Sequence, residues 1–535
     1  MPSVLVVSNV FPPQIVGGAE LVAYREALAL KRTGFDVSVF AGMLENEALV
    51  QSRTFIEARD DLQVFRLPLP GMGPDKGFFR QEVNRDFAQV LRAVEPDIVH
   101  FHNLPLLGTG LIPLAREFGA RVVVTLHDTW GFCLTQTRLR PSLELCHDFT
   151  ECDICLQWVP GVFGEKLPVR LRSDYVRWCL EQADVFISPS QSLLDSYGQA
   201  GFPTERFLRI SNGINLDAFP GHQREPRGKV DFLCASSIAE HKGSRTLWRA
   251  LGILMQDREL AGRWEMTIGG EGPLAKEFDE FLAPYGADAP VRRVGFISRT
   301  DISGHYGRTD VVVLPSVCPE NEPVTMLEAI ASGAAQIGAR IGGIPELIEE
   351  GRTGFLVTPG DAEDLAGAMR RLILHPELVR DFSARNLARR AEFDERRSLR
   401  RLADLLTDPP SPPAGAEHPI VLCAGDPDPA GVSEGLSRRL RSVSGRLRLL
   451  WHDWVDPKVR ERAEVLWVFG DRPPFGEIAR AIQRGIPIVA PRSAALEQLA
   501  GCAALVRSYE TAEMAVDLIE RLAPAPEQPQ RAGAV

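Results

Sequence analysis

Two glutamates bracket the junction between an apolar strand and a helix in residues 310–333, DVVVLPSVCPENEPVTMLEAIASG. Prolines interrupt the chain after the strand, so the helix is predicted to start near Thr325 and to end at Gly333. Unpaired N–H groups at such a helix start can bind a diphosphate, and the carboxylates of Glu320 and Glu328 can accept hydrogen bonds from hydroxyl groups. The segment therefore predicts a site for a ligand with both groups, although acids also occur at helix starts because the helix dipole stabilises them.

Other chemically active side chains follow predicted strands. Lys242 comes after the strand KVDFLCASS, where its ammonium either balances the charge of a departing diphosphate or is solvated at the surface. His127 ends the strand RVVVTLHD, and ligands of open α/β sheets bind at the carboxyl ends of strands. Asp128 either orients His127 or caps the following turn. His100 and His102 end the preceding strand, and we interpret them as structural histidines with satisfied ring nitrogens.

Four of the nine cysteines crowd one segment, CLTQTRLRPSLELCHDFTECDIC. The two-residue gap in CDIC lets two thiolates bind one tetrahedral ion, and the other two thiolates can complete a structural zinc site. An iron–sulfur cluster and four unligated thiols are the alternatives. We predict a zinc ion that shapes this loop, with the ligands Cys133, Cys146, Cys152 and Cys155.

The composition predicts a soluble, cytoplasmic protein of two or three domains. Its 535 residues, 44% of them hydrophobic, exceed what a single core normally holds. The formal net charge of −11 argues against a nucleic-acid partner. No apolar stretch reaches the length of a membrane-spanning helix, and the N-terminus enters a strand without the features of a signal peptide. In a reducing compartment the nine cysteines are not expected to form disulfides.

Short apolar strands alternate with amphipathic helices along most of the chain, and this rhythm predicts parallel, doubly wound α/β sheets. A segment rich in Pro and Gly, TDPPSPPAGAEHP, indicates a linker. A helix near 391–406 is expected to pack back across the first domain. The predicted units are an N-terminal domain (1–205), a second domain (206–406), the linker (407–418), a smaller third α/β unit (419–525) and a disordered tail (526–535).

The third unit contains a possible internal repeat. Its segment AEVLWVFGDRPPFGEIARAIQRGIPIVAP has the same order of elements as the strand, helix and strand around Glu320. Aligned by their helices, the two segments place Arg472 at Glu320 and Arg480 at Glu328. The copy would lack both carboxylates and form a degenerate half-site used for structure, partner binding or regulation. Two unrelated α/β units with the same general periodicity are the alternative.

Several separated segments in residues 1 to about 405 resemble the retaining glycosyltransferases of the GT-B fold, family 4. No single segment decides this resemblance, but their number and order do. It implies two doubly wound, Rossmann-like domains that face each other across a cleft, with the acceptor on the N-terminal side. The segments are PPQIVGGAE, PDIVHFHN, VVVTLHD, ADVFISPSQSLLDSY, RISNGINLDAF, EHKG, IGGEGPL, PENEPVTMLEAIASG and GGIPELIEEGRTGFLV.

The resemblance implies roles for individual residues. Glu328 would bind the two ribose hydroxyls, Glu320 would lie near the donor sugar, and His127 would face the transferred sugar. Lys242 would bind the departing diphosphate, so the candidate catalytic residues are His127, Glu320 and Lys242. The candidate donor-binding residues are Gly17, Gly18, Ser237, Lys242, Phe296, Glu320, Asn321, Val324, Thr325 and Glu328.

One position departs from the family pattern. An arginine usually precedes the lysine by five residues, and this chain has Ser237 there. Arg245 is the candidate replacement for that cation, and without a replacement donor binding would be impaired. Gly17 and Gly18 would let the first strand-to-helix turn approach the phosphates closely. Phe296 would border the nucleobase, with burial in the core as the alternative.

The implied activity is that of a hexosyltransferase-like enzyme in polysaccharide or glycoconjugate biosynthesis. It would move a sugar from a UDP-, GDP- or ADP-sugar to a glycan, lipid-linked or small-molecule acceptor, with retention of configuration and without an obligatory catalytic metal. A non-catalytic nucleotide-sugar-binding or scaffold protein is the alternative, motivated by Ser237 and the third unit. The basic amphipathic stretch 165–182 is either a peripheral contact with the inner membrane face or an ordinary surface helix.

Overall fold

The computed structural model describes residues 1–45, 54–71, 77–150, 152–161, 166–225, 228–286, 288–407, 420–425 and, with gaps, 448–522. The predicted linker beyond Thr407 and the predicted tail lie outside the described residues. Arg472 and Arg480, the two positions that define the degenerate repeat, lie outside them as well.

The N-terminal domain is built on a sheet of eight strands. Its order is β10-β9-β6-β5-β1-β2-β4-β3, and every adjacent pair is parallel except β3 with β4. Because β10 pairs with β9, this sheet extends past the predicted boundary at residue 205. The strands are β1 (Ser3–Val10), β2 (Asp36–Leu44), β3 (Phe55–Arg59), β4 (Leu62–Leu69), β5 (Ile98–Phe101), β6 (Arg121–Thr125), β9 (Val185–Ser188) and β10 (Phe207–Arg209), and a separate pair is formed by β7 (Trp158–Pro160) and β8 (Lys166–Pro168). The helices are α1 (Gly18–Arg32), α2 (Gln81–Val94), α3 (Leu111–Phe118), α4 (Val169–Glu181) and α5 (Gln191–Gln199).

The second domain has six parallel strands in the order β13-β12-β11-β14-β15-β16. This is the order of a doubly wound fold, in which ligands bind where the strand order reverses. The strands are β11 (Val230–Ala235), β12 (Trp264–Gly269), β13 (Val291–Gly295), β14 (Val311–Leu314), β15 (Ala335–Ala339) and β16 (Gly354–Val357). The helices are α6 (Ser244–Gln256), α7 (Ala275–Leu282), α8 (Arg299–Arg308), α9 (Val324–Ser332), α10 (Ala362–Leu374), α11 (Pro376–Arg389) and α12 (Glu395–Thr407).

Helix α12 returns from the second domain to the first, as the sequence predicts. Leu402 and Leu406 are buried in the same apolar core as Leu30 of α1. The guanidinium of Arg121 donates a hydrogen bond of 2.8 Å to the carbonyl oxygen of Leu405. The chain therefore crosses between the two domains twice, and the contacts of α12 join the domains at the second crossing.

The third unit has five parallel strands in the order β18-β17-β19-β20-β21. Apart from the edge strand β13, the second domain has the same relative order, as a repeat requires and as unrelated doubly wound units also show. The elements are β17 (Ile420–Gly425), β18 (Arg448–Trp451), β19 (Val465–Phe469), β20 (Ile488–Pro491), β21 (Val506–Tyr509) and α13 (Ala512–Leu522).

The third unit packs against α4, the helix that sequence analysis offered as a membrane contact. Arg448 forms an ion pair of 2.5 Å with Glu181, and the backbone N–H of Leu449 donates to Asp174. None of the residues of α4 is exposed, and Arg170 pairs with Asp174 of its own helix. The membrane-contact hypothesis for this helix is therefore wrong, because its apolar face lies inside the protein. Among the described residues, helices that combine the length and apolarity of a membrane span are absent.

Candidate functional site

A cleft of about 570 Å³ opens between the N-terminal and second domains. Its walls come from the turn before α1, the end of β6, the loop after β11 and the loop that leads into α9. Glu328 and Phe296 are not part of its lining. The predicted residues that do line it are Gly17, Gly18, His127, Ser237, Lys242, Glu320, Asn321, Val324 and Thr325.

Lys242 and Glu320 form an ion pair in the floor of the cleft. Lys242 Nζ lies 2.7 Å from Glu320 Oε1, and their side chains are 24% and 13% exposed. Burial by itself would raise the pKa of Glu320, but the Lys242 ammonium and the hydroxyl of Ser316 outweigh it and lower that pKa. Burial would likewise lower the pKa of Lys242, and Glu320 reverses that effect and raises it. Both groups are therefore charged at neutral pH.

Glycines hold the two partners of this pair in position. Gly243 follows Lys242 with φ +73°, and a Cβ there would clash with the carbonyl oxygen of Pro315. Gly343 donates its backbone N–H to the carbonyl oxygen of Glu320 at 2.7 Å. A Cβ on Gly343 would clash with the carbonyl oxygen of Asn321. The loops around the ion pair thus pack backbone against backbone, and a side chain would separate them.

Two helix starts face each other across the cleft. Helix α9 begins at Val324, as predicted, and its N-cap residue Pro323 provides no side-chain cap. The first N–H groups of α9 have no acceptor four residues earlier within the helix. At α1, Gly17 donates its N–H to the carboxylate of Glu20 at 2.8 Å. A Cβ on Gly18 would lie 3.5 Å from Cγ2 of Val324, so the two helix starts come within van der Waals reach of each other.

His127 is half-buried just beyond the end of β6 and is uncharged at neutral pH, because desolvation of its ring lowers its pKa to about 4. Its Nε2 atom lies 2.9 Å from Nδ1 of His102. Asp128 accepts a hydrogen bond of 2.7 Å from the N–H of Trp130 and another from Asn103. Of the two predicted roles for Asp128, these contacts support capping of the following turn. Burial also raises the pKa of Asp128 to about 7.

The prediction that His100 and His102 are satisfied structural histidines is only half right. Both rings are fully buried, and each has one nitrogen in a hydrogen bond, to Thr125 at 2.8 Å and to His127 respectively. The second nitrogen of each ring has no hydrogen-bond partner in the described structure. Burial lowers the pKa of His100 to about 3 and lowers that of His102 well below its usual value.

Asn321 connects the two domains at the cleft. Its amide donates to the carbonyl oxygens of Leu126 and His127 at 3.1 and 3.2 Å, and its Oδ1 accepts from Ser190 at 2.5 Å. Because the carbonyl oxygen of His127 is one of its acceptors, Asn321 positions the backbone of a cleft residue from the opposite domain. Asn321 therefore holds the two walls of the cleft together.

Glu346 makes a second connection between the domains. Its carboxylate accepts the N–H groups of Gln191 and Ser192, the first residues of α5, at 3.1 and 2.8 Å. It also forms an ion pair of 2.8 Å with Arg209 of β10. A carboxylate of the second domain thus caps a helix of the first, where the helix dipole favours negative charge.

Glu322 is a cleft residue that sequence reasoning missed. It accepts a hydrogen bond of 2.6 Å from the N–H of Asn212, in the segment that joins the domains. Burial raises the pKa of Glu322 to about 7. Its position in PENEP, between the two prolines, is the signal in the sequence that could have identified it.

Glu328 lies beneath the cleft on α9 and is only 6% exposed. Burial raises its pKa to about 7, while a hydrogen bond to Tyr306 and the charges of Arg299 and Arg25 act in the opposite direction. Phe296 is 78% exposed, so its alternative interpretation as a core aromatic is wrong. The side chain of Phe296 is available to a planar ligand group outside the cleft.

Arg245 does not replace the missing cation at Ser237. Its guanidinium is paired with Glu240 and Glu277 on the surface, and it does not line the cleft. Ser237 itself does line the cleft. Among the described lining residues, Lys242 is the one side chain that carries a positive charge at neutral pH.

Comparison with known families agrees with this two-domain geometry. Residues 16–218 match the family model described as Glycosyltransferase Family 4, and residues 229–375 match the model described as Glycosyl transferases group 1. The first match falls on the N-terminal domain and its junction, and the second on the domain that carries Lys242 and Glu320. The chain belongs to the GT-B glycosyltransferases.

Individual relatives support the same conclusion. The glycosyltransferase is 25% identical to a glycogen synthase of Mycobacterium tuberculosis over 395 residues, which cover 70% of this chain and 86% of that protein. It is 30% identical to the amylovoran biosynthesis glycosyltransferase AmsK of Erwinia amylovora over 213 residues, covering 38% and 52% of the two chains. Its fold resembles Anabaena HepE in complex with UDP, with a TM-score of 0.55, 17% identity, and coverage of 76% of this chain and 99% of that one. A glycosyl-transfer role follows from these relatives.

The cysteine segment of this glycosyltransferase forms a loop against α4 and α5. Arg138 anchors the loop, because its guanidinium donates to Ser196 Oγ at 2.9 Å and to the carbonyl oxygen of Cys146 at 3.2 Å. Burial raises the pKa of Cys152 to about 12, and the charges of the other three cysteines contribute to this shift. No three of the four sulfur atoms, all of them among the described residues, lie within 4.8 Å of one another. A zinc site here therefore remains a prediction that requires rotation of the thiols.

Proposed function

We propose that the protein transfers a sugar from a nucleotide-sugar donor to an acceptor hydroxyl, with retention of configuration at the anomeric carbon. The observation that carries the proposal is the convergence of Lys242, Glu320, His127 and the start of α9 on one cleft between the domains. A cation and unpaired helix N–H groups suit a diphosphate. A carboxylate and a neutral imidazole suit sugar hydroxyls.

The donor diphosphate would lie between Lys242 and the first N–H groups of α9, at Val324 and Thr325. The Lys242 ammonium is held by Glu320. Donor binding would give the ammonium a second negative partner, and Glu320 would turn its other oxygen toward a sugar hydroxyl. The pair thus keeps two buried charges compensated until the ligand arrives.

The reaction would break the bond between the anomeric carbon and the leaving phosphate oxygen. The acceptor oxygen would form its bond to that carbon on the same face, and its proton would pass to the leaving phosphate. Negative charge then develops on the diphosphate, where Lys242 and the α9 amides stabilise it. Neutral His127 would hold a hydroxyl of the transferred sugar, and no divalent metal ion takes part in these steps.

The nucleoside would extend from the cleft toward Glu328 and Phe296. Glu328 would accept the ribose hydroxyls, which requires the donor to reach a carboxyl group that is 6% exposed. The exposed ring of Phe296 would stack on the base. UDP in the related HepE structure supports a nucleoside diphosphate, and we include UDP-, GDP- and ADP-sugars as candidate donors. The acceptor would be a glycan, a lipid-linked sugar or a small molecule, as in polysaccharide biosynthesis.

The test is transfer or hydrolysis from a panel of UDP-, GDP- and ADP-sugars, with the anomeric configuration of the product read by NMR. Lys242→Met should lower kcat/KM by about 100-fold or more, since it removes one group that stabilises the leaving charge. Arg245→Met is the matched control, because Arg245 pairs with surface acids outside the cleft. Donor binding without turnover would favour a non-catalytic scaffold, an inverted product would refute retention, and no donor binding would refute the site.

The proposal includes a structural zinc ion at the cysteine loop. Four half-buried cysteines in one anchored loop, two of them spaced as in CDIC, are the support. Removal of zinc by a chelator should lower the melting temperature of the parent protein. The double variant Cys146→Ser/Cys155→Ser should respond less than the parent, because its cysteine loop no longer holds the ion. An equal response of both proteins would contradict a zinc ion at this loop.

A further inference from the structure

A cluster of three titratable side chains lies beneath α1, outside the donor cleft. Glu26 comes from α1, His100 from β5, and His102 directly follows β5. Side chains two residues apart along a strand share one face of a sheet. Ile98 packs in the same apolar core as Ala27 of α1, so His100 and His102 face α1 as well. The topology thus encloses one acid and two imidazoles between α1 and the sheet.

Three polar atoms of this cluster converge without forming hydrogen bonds. Glu26 Oε2 lies 3.7 Å from His100 Nδ1 and 3.5 Å from His102 Nε2, and all three atoms lie within 4.8 Å of one another. The same three atoms are buried and have no hydrogen-bond partner in the described part of the chain. Buried polar atoms nearly always have a partner. The convergence therefore indicates a ligand that all three atoms share.

We propose that Glu26, His100 and His102 bind a divalent zinc ion. Two imidazoles and one carboxylate are a familiar zinc donor set, with Zn–N and Zn–O bonds of about 2.0–2.2 Å. Tetrahedral geometry places two such donors about 3.4 Å apart. The observed separations of 3.5 and 3.7 Å are close to that spacing, so only small side-chain movements are needed.

The outer contacts of the two histidines fit the same role. A histidine that binds a metal commonly donates its other ring N–H to a neighbouring acceptor, which fixes the ring. His100 has Thr125 Oγ1 at 2.8 Å from its non-ligating nitrogen, and His102 has His127 Nε2 at 2.9 Å. Each imidazole therefore has one nitrogen for the metal and one in a positioning hydrogen bond. Glu26 would bind the ion as a carboxylate.

The zinc ion would be structural and would act on the cleft through one hydrogen bond. With zinc on Nε2, His102 carries its proton on Nδ1 and donates it to Nε2 of His127. His127 then keeps its own proton on Nδ1, so its tautomer is fixed in the cleft. The site itself does not depend on the donor chemistry, and only this effect on His127 rests on the proposed function.

The experiment must separate this site from the cysteine loop. The full-length variant Cys146→Ser/Cys155→Ser is freed of metal with a chelator and titrated with Co²⁺, a spectroscopic substitute for Zn²⁺. Thiolate ligands give an intense sulfur-to-cobalt charge-transfer band, whereas imidazole and carboxylate ligands give only weak d–d bands. We expect one tightly bound Co²⁺ per chain with d–d bands and without the charge-transfer band. Absence of bound Co²⁺ in this protein would overturn the proposal.

Glu26→Gln in the same background tests the ligand set, because it removes the charged ligand and keeps the shape. This variant should not bind Co²⁺, and Zn²⁺ should not raise its melting temperature as it does in the Cys146→Ser/Cys155→Ser protein. His375→Gln is the control, since this histidine is exposed, pairs with Glu377 and follows α10 in the second domain, whereas the cluster lies in the first. If Glu26→Gln folds and binds the metal as the parent does, the site is refuted. If it does not fold, the parent titration still decides the question.

Discussion

The buried ion pair between Lys242 and Glu320 predicts an unusual dependence of stability on pH when it is broken. Lys242→Met removes the ammonium and keeps most of the aliphatic volume. Glu320 is then left 13% exposed, with the hydroxyl of Ser316 at 2.6 Å as a remaining donor. Removing one partner of a buried pair typically costs about 3–5 kcal/mol. We expect about 3 kcal/mol at pH 7, because Ser316 and partial solvent access reduce the penalty.

The contribution of Glu320 to stability should change with pH in opposite directions in the wild type and in Lys242→Met. In the wild type the pKa of Glu320 is lowered, so its contribution to stability is present above the unfolded-state pKa and is lost as the pH falls through the folded-state pKa. In Lys242→Met, burial is no longer opposed by the ammonium and raises that pKa. Stability is then lost as the pH rises through the folded-state pKa. Each unit of increase corresponds to about 1.4 kcal/mol, so the deficit should shrink between pH 7 and pH 5.

The assay is urea unfolding at pH 5 and pH 7 of the wild type, Lys242→Met, Glu320→Gln and the double variant. The double variant should be more stable at pH 7 than the sum of the single effects predicts, because neither unpaired charge remains. Lys229→Met is the matched control. Lys229 forms a pair of 2.6 Å with Glu265, but their side chains are 50% and 52% exposed, so its loss should have little effect. Equal deficits at both pH values, together with additive single effects, would refute the ion pair.

Three further predictions concern the loops around the cleft. Gly343→Ala should lower kcat/KM by about 100-fold with the fold retained, because its Cβ displaces the backbone of Asn321, and unchanged kinetics would contradict this packing. Glu346→Gln should lower stability by about 1 kcal/mol in urea unfolding, since α5 loses its charged cap, whereas an unchanged midpoint would show that the domains do not meet there. Burial raises the pKa of Glu322 to about 7, and a bound diphosphate should raise it further, so donor binding should take up protons near pH 7. Calorimetry in two buffers of different ionisation enthalpy measures this proton uptake. The variant Glu322→Gln should take up fewer protons than the wild type, and an equal uptake by the two proteins would exclude Glu322 as the source.

Much of the fold could be predicted from local pattern. Alternating strands and helices are encoded in short windows of apolar periodicity, and α9 begins and ends where the prolines and Gly333 indicate. The helix that follows the second sheet, α12, was also predicted to return to the first domain. The hairpin of β3 and β4 was not predicted, because it interrupts the parallel rhythm on which the assignment rested.

The membrane hypothesis for α4 failed for a physical reason. An apolar stripe beside arginines occurs both in helices that lie on lipid and in helices that are buried with paired charges. The pairing of Arg170 with Asp174 lies within the helix and was readable from the sequence. The cover supplied by Arg448 comes from a part of the chain more than 260 residues away, and no local pattern reveals such packing.

Site residues that belong to a short sequence motif could be predicted. Site residues whose role depends on which charged side chains they meet in the fold could not. The motif around Glu320 predicted Asn321, Val324 and Thr325 as donor-binding residues, and all three line the cleft. Arg245 is close in sequence to Lys242 and was predicted as a second cation of the site, but its guanidinium forms ion pairs with two surface acids. Glu322 was harder to predict than Glu320, because its raised pKa comes from burial, which only the fold creates.

The charge balance of the cleft determines how it can accept a diphosphate. Lys242 is its one charged cation among the described lining residues, and it is already compensated by Glu320. Three more carboxyl groups line the cleft, those of Glu20, Asp128 and Glu322, and they would make it too negative for an anionic donor if all were fully ionised. Burial raises the pKa of Asp128 and of Glu322 to about 7, so a large fraction of each is neutral at neutral pH. Ser237 leaves no additional cation, and the N–H groups of α9 must therefore contribute the remaining stabilisation. Among the described lining residues there is no arginine side chain that could move to bind a donor whose diphosphate is misaligned with these fixed amides. Donor binding in the cleft therefore depends on the geometry of the backbone.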